Sequence, residues 1–281
     1  MCYNCGMVRP PAVAGSFYPS DERELARFLD EYCARESAEQ KTRAIACIVP
    51  HAGYMYSGHV AGAVYSEIEI PERCVLLGPR HFPQGQPMAI LTEGSFLTPF
   101  GPARIDEELA TELAREEPRL REDPVAHARE HSLEVQIPFL QRLASRGNPP
   151  REFRFVPVVL ASDRYPVLED LGRAVARVVS NAGTQILIVA STDMNHYESD
   201  AATRVKDSHA IERILALDAR GLYDTVRNEG ITMCGYAATV AAIVAARELG
   251  AKGAWLVRYA TSGDVNGDYS RVVGYAGFVI R

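Results

Sequence analysis

Short apolar runs that stop abruptly at a proline or glycine, with a histidine or aspartate just beyond, constrain this chain most. Residues 44–49 are apolar and rich in branched side chains, are halted by Pro50 and lead directly into His51. A run of that length and composition reads as a buried strand. The pattern recurs where residues 74–77 meet Gly78 and Pro79 ahead of His81, and where residues 185–190 run into Ser191, Thr192 and Asp193 ahead of His196. Between these runs, helical spacing marks residues 106–115, 132–143, 166–179 and 209–217, and an alanine-rich helix at 236–249 precedes strands at 254–260 and 272–280. Strands alternating with helices predict an α/β fold, a central mostly parallel sheet with helices on both faces. Only a Gly/Asp/Asn loop at 263–268 separates the last two strands, which predicts an antiparallel pair and therefore a mixed sheet.

The 281 residues, 47% hydrophobic and 23% charged, suffice for a large core without disulfides. No linker, repeat or low-complexity segment interrupts them, so a single domain over residues 8–281 is expected, after a flexible tail at 1–7. A net charge of −6 argues against a broad nucleic-acid surface. No run approaches the roughly 18 apolar residues that cross a bilayer, and the first residues lack the apolar core of a signal peptide. A soluble, cytoplasmic protein without membrane partners is expected. The six cysteines are irregularly spaced, and Cys47 and Cys74 lie inside apolar runs, which suits a reducing compartment. Cys2 and Cys5 have the spacing of a zinc half-site, but no second pair follows, so they read as part of the tail. There is no Walker loop, dinucleotide fingerprint or Gly-x-Ser-x-Gly elbow.

Ligands of open α/β sheets gather beyond the carboxyl ends of the strands, where this chain places His51, His81 and His196. His51 lies in Pro50-His51-Ala52-Gly53-Tyr54 and His81 in Gly78-Pro79-Arg80-His81-Phe82, both rigid turns that can hold an imidazole at the sheet edge as a metal ligand. The alternative for the second turn is that Arg80 and His81 bind an anion without metal. Cys234 precedes the alanine-rich helix, whose positive end favours a thiolate. It is either a buried structural thiol or the third member of an open ligand set. His196, with Asp193 nearby to fix its tautomer, is a candidate acid or base, or a hydrogen-bonded loop histidine. His131 opens the predicted 132–143 helix and either points into the cleft or serves the helix end. His59, His127 and His209 read as structural or solvated.

These motifs together resemble the Memo family, in the group also called AmmeMemoRadiSam system protein B, from about Val8 to Arg281. The matching pieces are the segment from Arg9 to Pro19, the turns at His51 and His81, Glu130-His131-Ser132-Leu133-Glu134-Val135-Gln136, the Asp193 to His196 loop, Met233-Cys234-Gly235-Tyr236, and Val272 to Ala276. The resemblance implies a fold similar to class III extradiol dioxygenases, whose iron is held by two histidines and a carboxylate. His51 and His81 match those histidines, Cys234 takes the carboxylate position, His196 matches the acid/base histidine, and His131 resembles a further pocket histidine. Sulfur in place of carboxylate widens the metal preference from iron to copper or zinc, so ring cleavage does not transfer.

The leading expectation is a metal-dependent oxidoreductase of unknown substrate, with one metal ion per chain, iron first and copper or zinc next. His51, His81 and Cys234 would bind the ion, with His196, His131 and Asp193 around it. The alternative is a non-catalytic binding protein that holds a peptide, an anionic small molecule or a metal ion in the same pocket. The family label further implies radical-SAM and AMMECR-type partner proteins.

Overall fold

The structure, a computed structural model, describes residues 7–34, 41–147 and 149–281. Cys2 and Cys5, with all of the expected tail except Met7, lie outside the described residues. The strands are β1 (Val8–Arg9), β2 (Ala46–Val49), β3 (Arg73–Pro79), β4 (Met88–Ile90), β5 (Ser95–Thr98), β6 (Gly101–Ile105), β7 (Arg121–Glu122), β8 (Arg154–Leu160), β9 (Ile186–Ser191), β10 (His196–Glu198), β11 (Ala254–Thr261) and β12 (Val272–Ile280). The helices are α1 (Glu22–Tyr32), α2 (Tyr54–Glu67), α3 (Glu107–Glu116), α4 (Pro124–Ala128), α5 (Ile137–Ser145), α6 (Tyr165–Asn181), α7 (Asp200–Leu215), α8 (Ala219–Asn228), α9 (Tyr236–Glu248) and α10 (Gly263–Asn266).

The sheet runs β1-β5-β6-β8-β3-β9-β2-β12-β10, with β11 on β12 and β4 and β7 attached beside β8. Its middle, from β6 to β2, is parallel. The closing β11–β12 pair is antiparallel, as the short loop predicts. Every residue of β2 and β9 is buried, as are the residues of β3 and β8 after their first, so these strands are apolar throughout. That is the signature of a parallel sheet covered on both faces. On one side α9 lies against β2, β3 and β9 with α6 and α8 behind it, while α2 packs on β2, β11 and β12 with α1 and α5 against it.

Helix α9 has almost no polar face, ten of its residues being buried, because it lies between the sheet and two other helices. Two expected helices differ at their starts. Residues 132–143 divide into a 3₁₀ turn, Glu134–Gln136, and α5, because Pro138 fixes the start of α5 and the Glu134 carboxylate is used elsewhere. His131 therefore precedes a turn and does not open a helix. The helix read at 209–217 begins at Asp200, capped by the Ser199 hydroxyl, so His209 lies in its middle.

The register matters for the site. Val49 pairs with Ser191 and Leu77 with Ala190, so adjacent strands β3, β9 and β2 end at one level. His81, Asp193 and His51 leave from those three ends.

Candidate metal centre

His51 is fixed by its neighbours in position and tautomer. Its backbone N–H donates to Asp193 Oδ1 at 2.8 Å and its Nδ1 lies 2.9 Å from Ser191 Oγ. The serine's single proton goes to the Ser132 carbonyl at 2.6 Å, and its oxygen also accepts from Gln136 Nε2 at 2.9 Å. Gln136 is itself oriented, donating to the Pro50 carbonyl and accepting from the Tyr65 hydroxyl. With the serine proton committed, His51 Nδ1 must be the donor, which leaves Nε2 an acceptor that faces the Cys234 sulfur. Burial pushes the imidazole well below its ordinary range, and nearby His81 and His131 add to that, so it is neutral.

His81 is set by Glu130. The buried carboxylate accepts from His81 Nδ1 at 2.8 Å, from His81 N at 2.6 Å and from Ser132 N at 2.8 Å. Burial would raise Glu130, but these hydrogen bonds outweigh it and hold the acid at about 2. Burial likewise lowers His81, and Glu130 overturns this to raise it. Its Nδ1–H is spent on the carboxylate, so Nε2 again faces outward, the arrangement in which histidines bind metals. His131 stacks on His81 with ring centroids 4.7 Å apart and meets His51 edge-on at 5.6 Å. Its nearest acceptor, Glu130 Oε1, stands 3.6 Å from Nδ1, beyond hydrogen-bond range. Burial lowers its pKa. Its loop can approach because Gly78 has no side chain: a Cβ there would come within 2.7 Å of Ser132 Oγ and Leu133 Cδ2.

One donor atom from each of His51, His81 and His131 lies within 4.8 Å of the others, so the three form a cluster able to hold one metal ion. Cys234 is not in that mutually close set, but its Sγ is 3.2 Å from His51 Nε2. The turn that carries it packs on the end of β9, where a Cβ on Gly235 would be 2.3 Å from the Ser191 carbonyl oxygen. The helix end does not favour a thiolate in the metal-free chain. Burial, then the nearby Asp193, pushes the thiol up, although Asp193 N–H donates to Sγ at 3.3 Å. Asp193 is raised by burial.

His196 begins β10 and does not sit in a loop. Its Nδ1 donates to the Thr232 carbonyl at 2.8 Å, so the Asp193 carboxylate is not what fixes its tautomer. The three histidines, Cys234, Asp193 and His196 face one cleft of about 740 Å³, lined also by Phe17, Tyr56, Tyr197, Val273 and Tyr275. Arg80 is not among the lining residues. It donates to the Gly85 and Gln86 carbonyls, so its charge is turned away from any ligand in the cleft. His127 is buried and His209 pairs with Glu229 on the surface, both away from the cleft.

The structure thus brings His51, His81, His131, Asp193, His196 and Cys234 to one cleft. Sequence reasoning missed the groups that orient them, Ser191, Glu130, Gln136 and Thr232. Their signal was available in part: Glu130 and Gln136 flank His131 in the Glu130 to Gln136 motif, and Ser191 ends a strand at the level of His51.

The chain matches the model of a family described as Memo-like protein over residues 9–279. It is 42% identical to a MEMO1 family protein of Methanopyrus kandleri, covering 98% of this chain and 99% of that one. It is 43% identical to a MEMO1 family protein of Aquifex aeolicus, covering 97% and 98%. A MEMO1 family protein of Thermococcus kodakarensis is 40% identical, covering 98% of this chain and all of that one, 100%. Matched from end to end at this identity, the chain belongs to the Memo family.

Proposed function

We propose that the cleft holds one metal ion, iron before copper or zinc, on His51, His81 and Cys234, and that with iron or copper bound the protein is a metal-dependent oxidoreductase. The observation that carries this reading is that hydrogen bonds at Nδ1 make Nε2 of both His51 and His81 a lone-pair donor available to an ion. Two donors sharing an ion at ordinary zinc–nitrogen and zinc–sulfur lengths stand roughly 3.5 Å apart. The 3.2 Å between Cys234 Sγ and His51 Nε2 suits such a pair. A buried thiol beside a carboxylate resists ionisation unless a cation compensates it, which a bound ion does.

When bound, the ion supplies Lewis acidity and electron transfer. The protein's own groups do the rest. His196, anchored through Nδ1, keeps its other nitrogen to take or give a proton. His131, whose Nδ1 makes no hydrogen bond among the described residues, is the second group able to move one. Val273 and the tyrosines Tyr56, Tyr197 and Tyr275 give a bound ligand apolar surface to lie against.

The closeness of His131 to both other histidines supports a second ligand set, His51, His81 and His131. X-ray absorption on the chain loaded anaerobically with Fe²⁺ separates the two, followed by oxygen uptake. The proposal expects sulfur in the coordination shell and uptake that His51→Ala abolishes. A sulfur-free shell that survives Cys234→Ser moves the third ligand to His131. Bound iron with no oxygen uptake and no change in any offered compound favours the alternative, a binding protein for a peptide or small molecule.

A further inference from the structure

The segment from Arg9 to Tyr18 is tied to the His131 segment far more firmly than its position at the edge of the sheet requires. The Glu134 carboxylate is fully buried, its side chain 0% exposed and that of Arg9 3%. It accepts from the backbone N–H groups of Ala12 at 2.8 Å and Val13 at 3.0 Å, the Tyr18 hydroxyl at 2.8 Å and Arg9 Nη1 at 2.7 Å. Arg9 then clamps the chain around His131 itself, donating to the His127 carbonyl at 2.7 Å and the Glu130 carbonyl at 2.6 Å. A buried carboxylate with this many donors holds its partners in one geometry.

What the strap carries to the cleft is Phe17. Its carbonyl accepts from Tyr54 N–H at 2.7 Å, and its ring meets His131 edge-on with centroids 4.8 Å apart. His51 and His81 are each oriented by a hydrogen bond at Nδ1, whereas among the described residues His131 Nδ1 has only Glu130 Oε1 at 3.6 Å, beyond hydrogen-bond range. Its ring plane is set by the rings around it, and Phe17 is the one that no other function explains.

We propose that residues 9–18 are a strap that sets the ring plane of His131, with Phe17 as the positioning residue and Glu134 as its anchor. Edge-to-face contact between rings favours one plane over the alternatives by roughly twofold to tenfold. The inference rests on the proposed site only in that His131 has a task there. The strap's effect on the ring exists with or without metal.

The test is NMR of the full chain carrying labelled histidine, metal-free and then with Zn²⁺ alone. In the metal-free wild type, His131 and His81 ring protons give a cross-peak from the stacked pair. Phe17→Leu and Glu134→Gln are expected to lose that cross-peak and broaden only the His131 resonances, with those of His51 and His81 staying sharp, while Phe17→Tyr retains it. A cross-peak and linewidth in Phe17→Leu equal to wild type would overturn the strap. So would loss at all three histidines together, which marks general loosening. The Zn²⁺ step reads the other claim separately: no shift at His51 or His81 on adding Zn²⁺ counts against the metal site and leaves the strap standing on the metal-free spectra.

Discussion

At the scale of single residues, the site depends on where two protons are kept. Ser191 holds the Nδ1 proton of His51 and Glu130 that of His81, so each Nε2 carries a lone pair before any ion arrives. Replacing such a partner typically weakens metal binding by roughly 10–100-fold. Ser191→Ala is therefore expected to fold normally and bind Zn²⁺ roughly tenfold or more weakly in a chelator competition. Affinity equal to wild type would show that the tautomer is held by something else. The histidines themselves were legible in the sequence, because a histidine just past a strand that a proline or glycine halts lands at the sheet edge. Their partners were not. Ser191 lies 140 positions from His51 and Glu130 lies 49 from His81, separations that only the folded sheet closes.

At the scale of elements, the turn before α9 depends on Gly235, whose missing side chain lets Cys234 approach the end of β9. Gly235→Ala places a methyl against the Ser191 carbonyl and is expected to cost about 1–3 kcal/mol in a denaturant titration, as overpacking does. An unchanged midpoint would mean that the turn moves freely. Helix α7 carries Asp207, which is buried and accepts from Asn195 N–H at 2.8 Å and the Tyr259 hydroxyl at 2.7 Å. Burial raises it from 3.8 to about 7 against the pull of those hydrogen bonds. Between those two values the folded chain holds a proton that the unfolded chain has lost, so stability is greatest at the acidic end and falls as pH rises toward 7. Asp207→Asn is expected to lack this slope in midpoints measured from pH 4 to pH 8, and an identical slope in both proteins would assign it to other groups. The strands and the alanine-rich helix were readable because their apolar pattern is local. The 3₁₀ turn after His131 was not, because Glu134 looks like an ordinary helical glutamate until Arg9 and Ala12 are brought to it.

At the scale of the whole molecule, the chain is a covered parallel sheet whose middle strands end together, so one edge gathers groups from residues as far apart as Phe17 and Tyr275. The fold class and the mixed character of the sheet followed from alternation and from the short 263–268 loop. The contribution of the N-terminal segment to the cleft did not, since nothing local in residues 9–18 says that they cross to His131. Because Arg9 and Glu134 are both buried, removing one leaves the other uncompensated, and Arg9→Met is expected to lower stability by about 3–5 kcal/mol. Adding Glu134→Gln to it should recover part of that loss. No recovery in the double variant would mean that the pair is not what holds the segment. Among the described residues no helix is long and apolar enough to cross a membrane.

Whether His51 and His81 hold a metal ion in this cleft is decided by anaerobic metal analysis of the purified chain beside His51→Ala and His81→Ala. About one ion per wild-type chain, as a single mononuclear site requires, and its loss from both variants are expected. A wild-type chain that takes up no ion even after anaerobic loading, or variants that keep it, would rule out a metal ion on these two histidines.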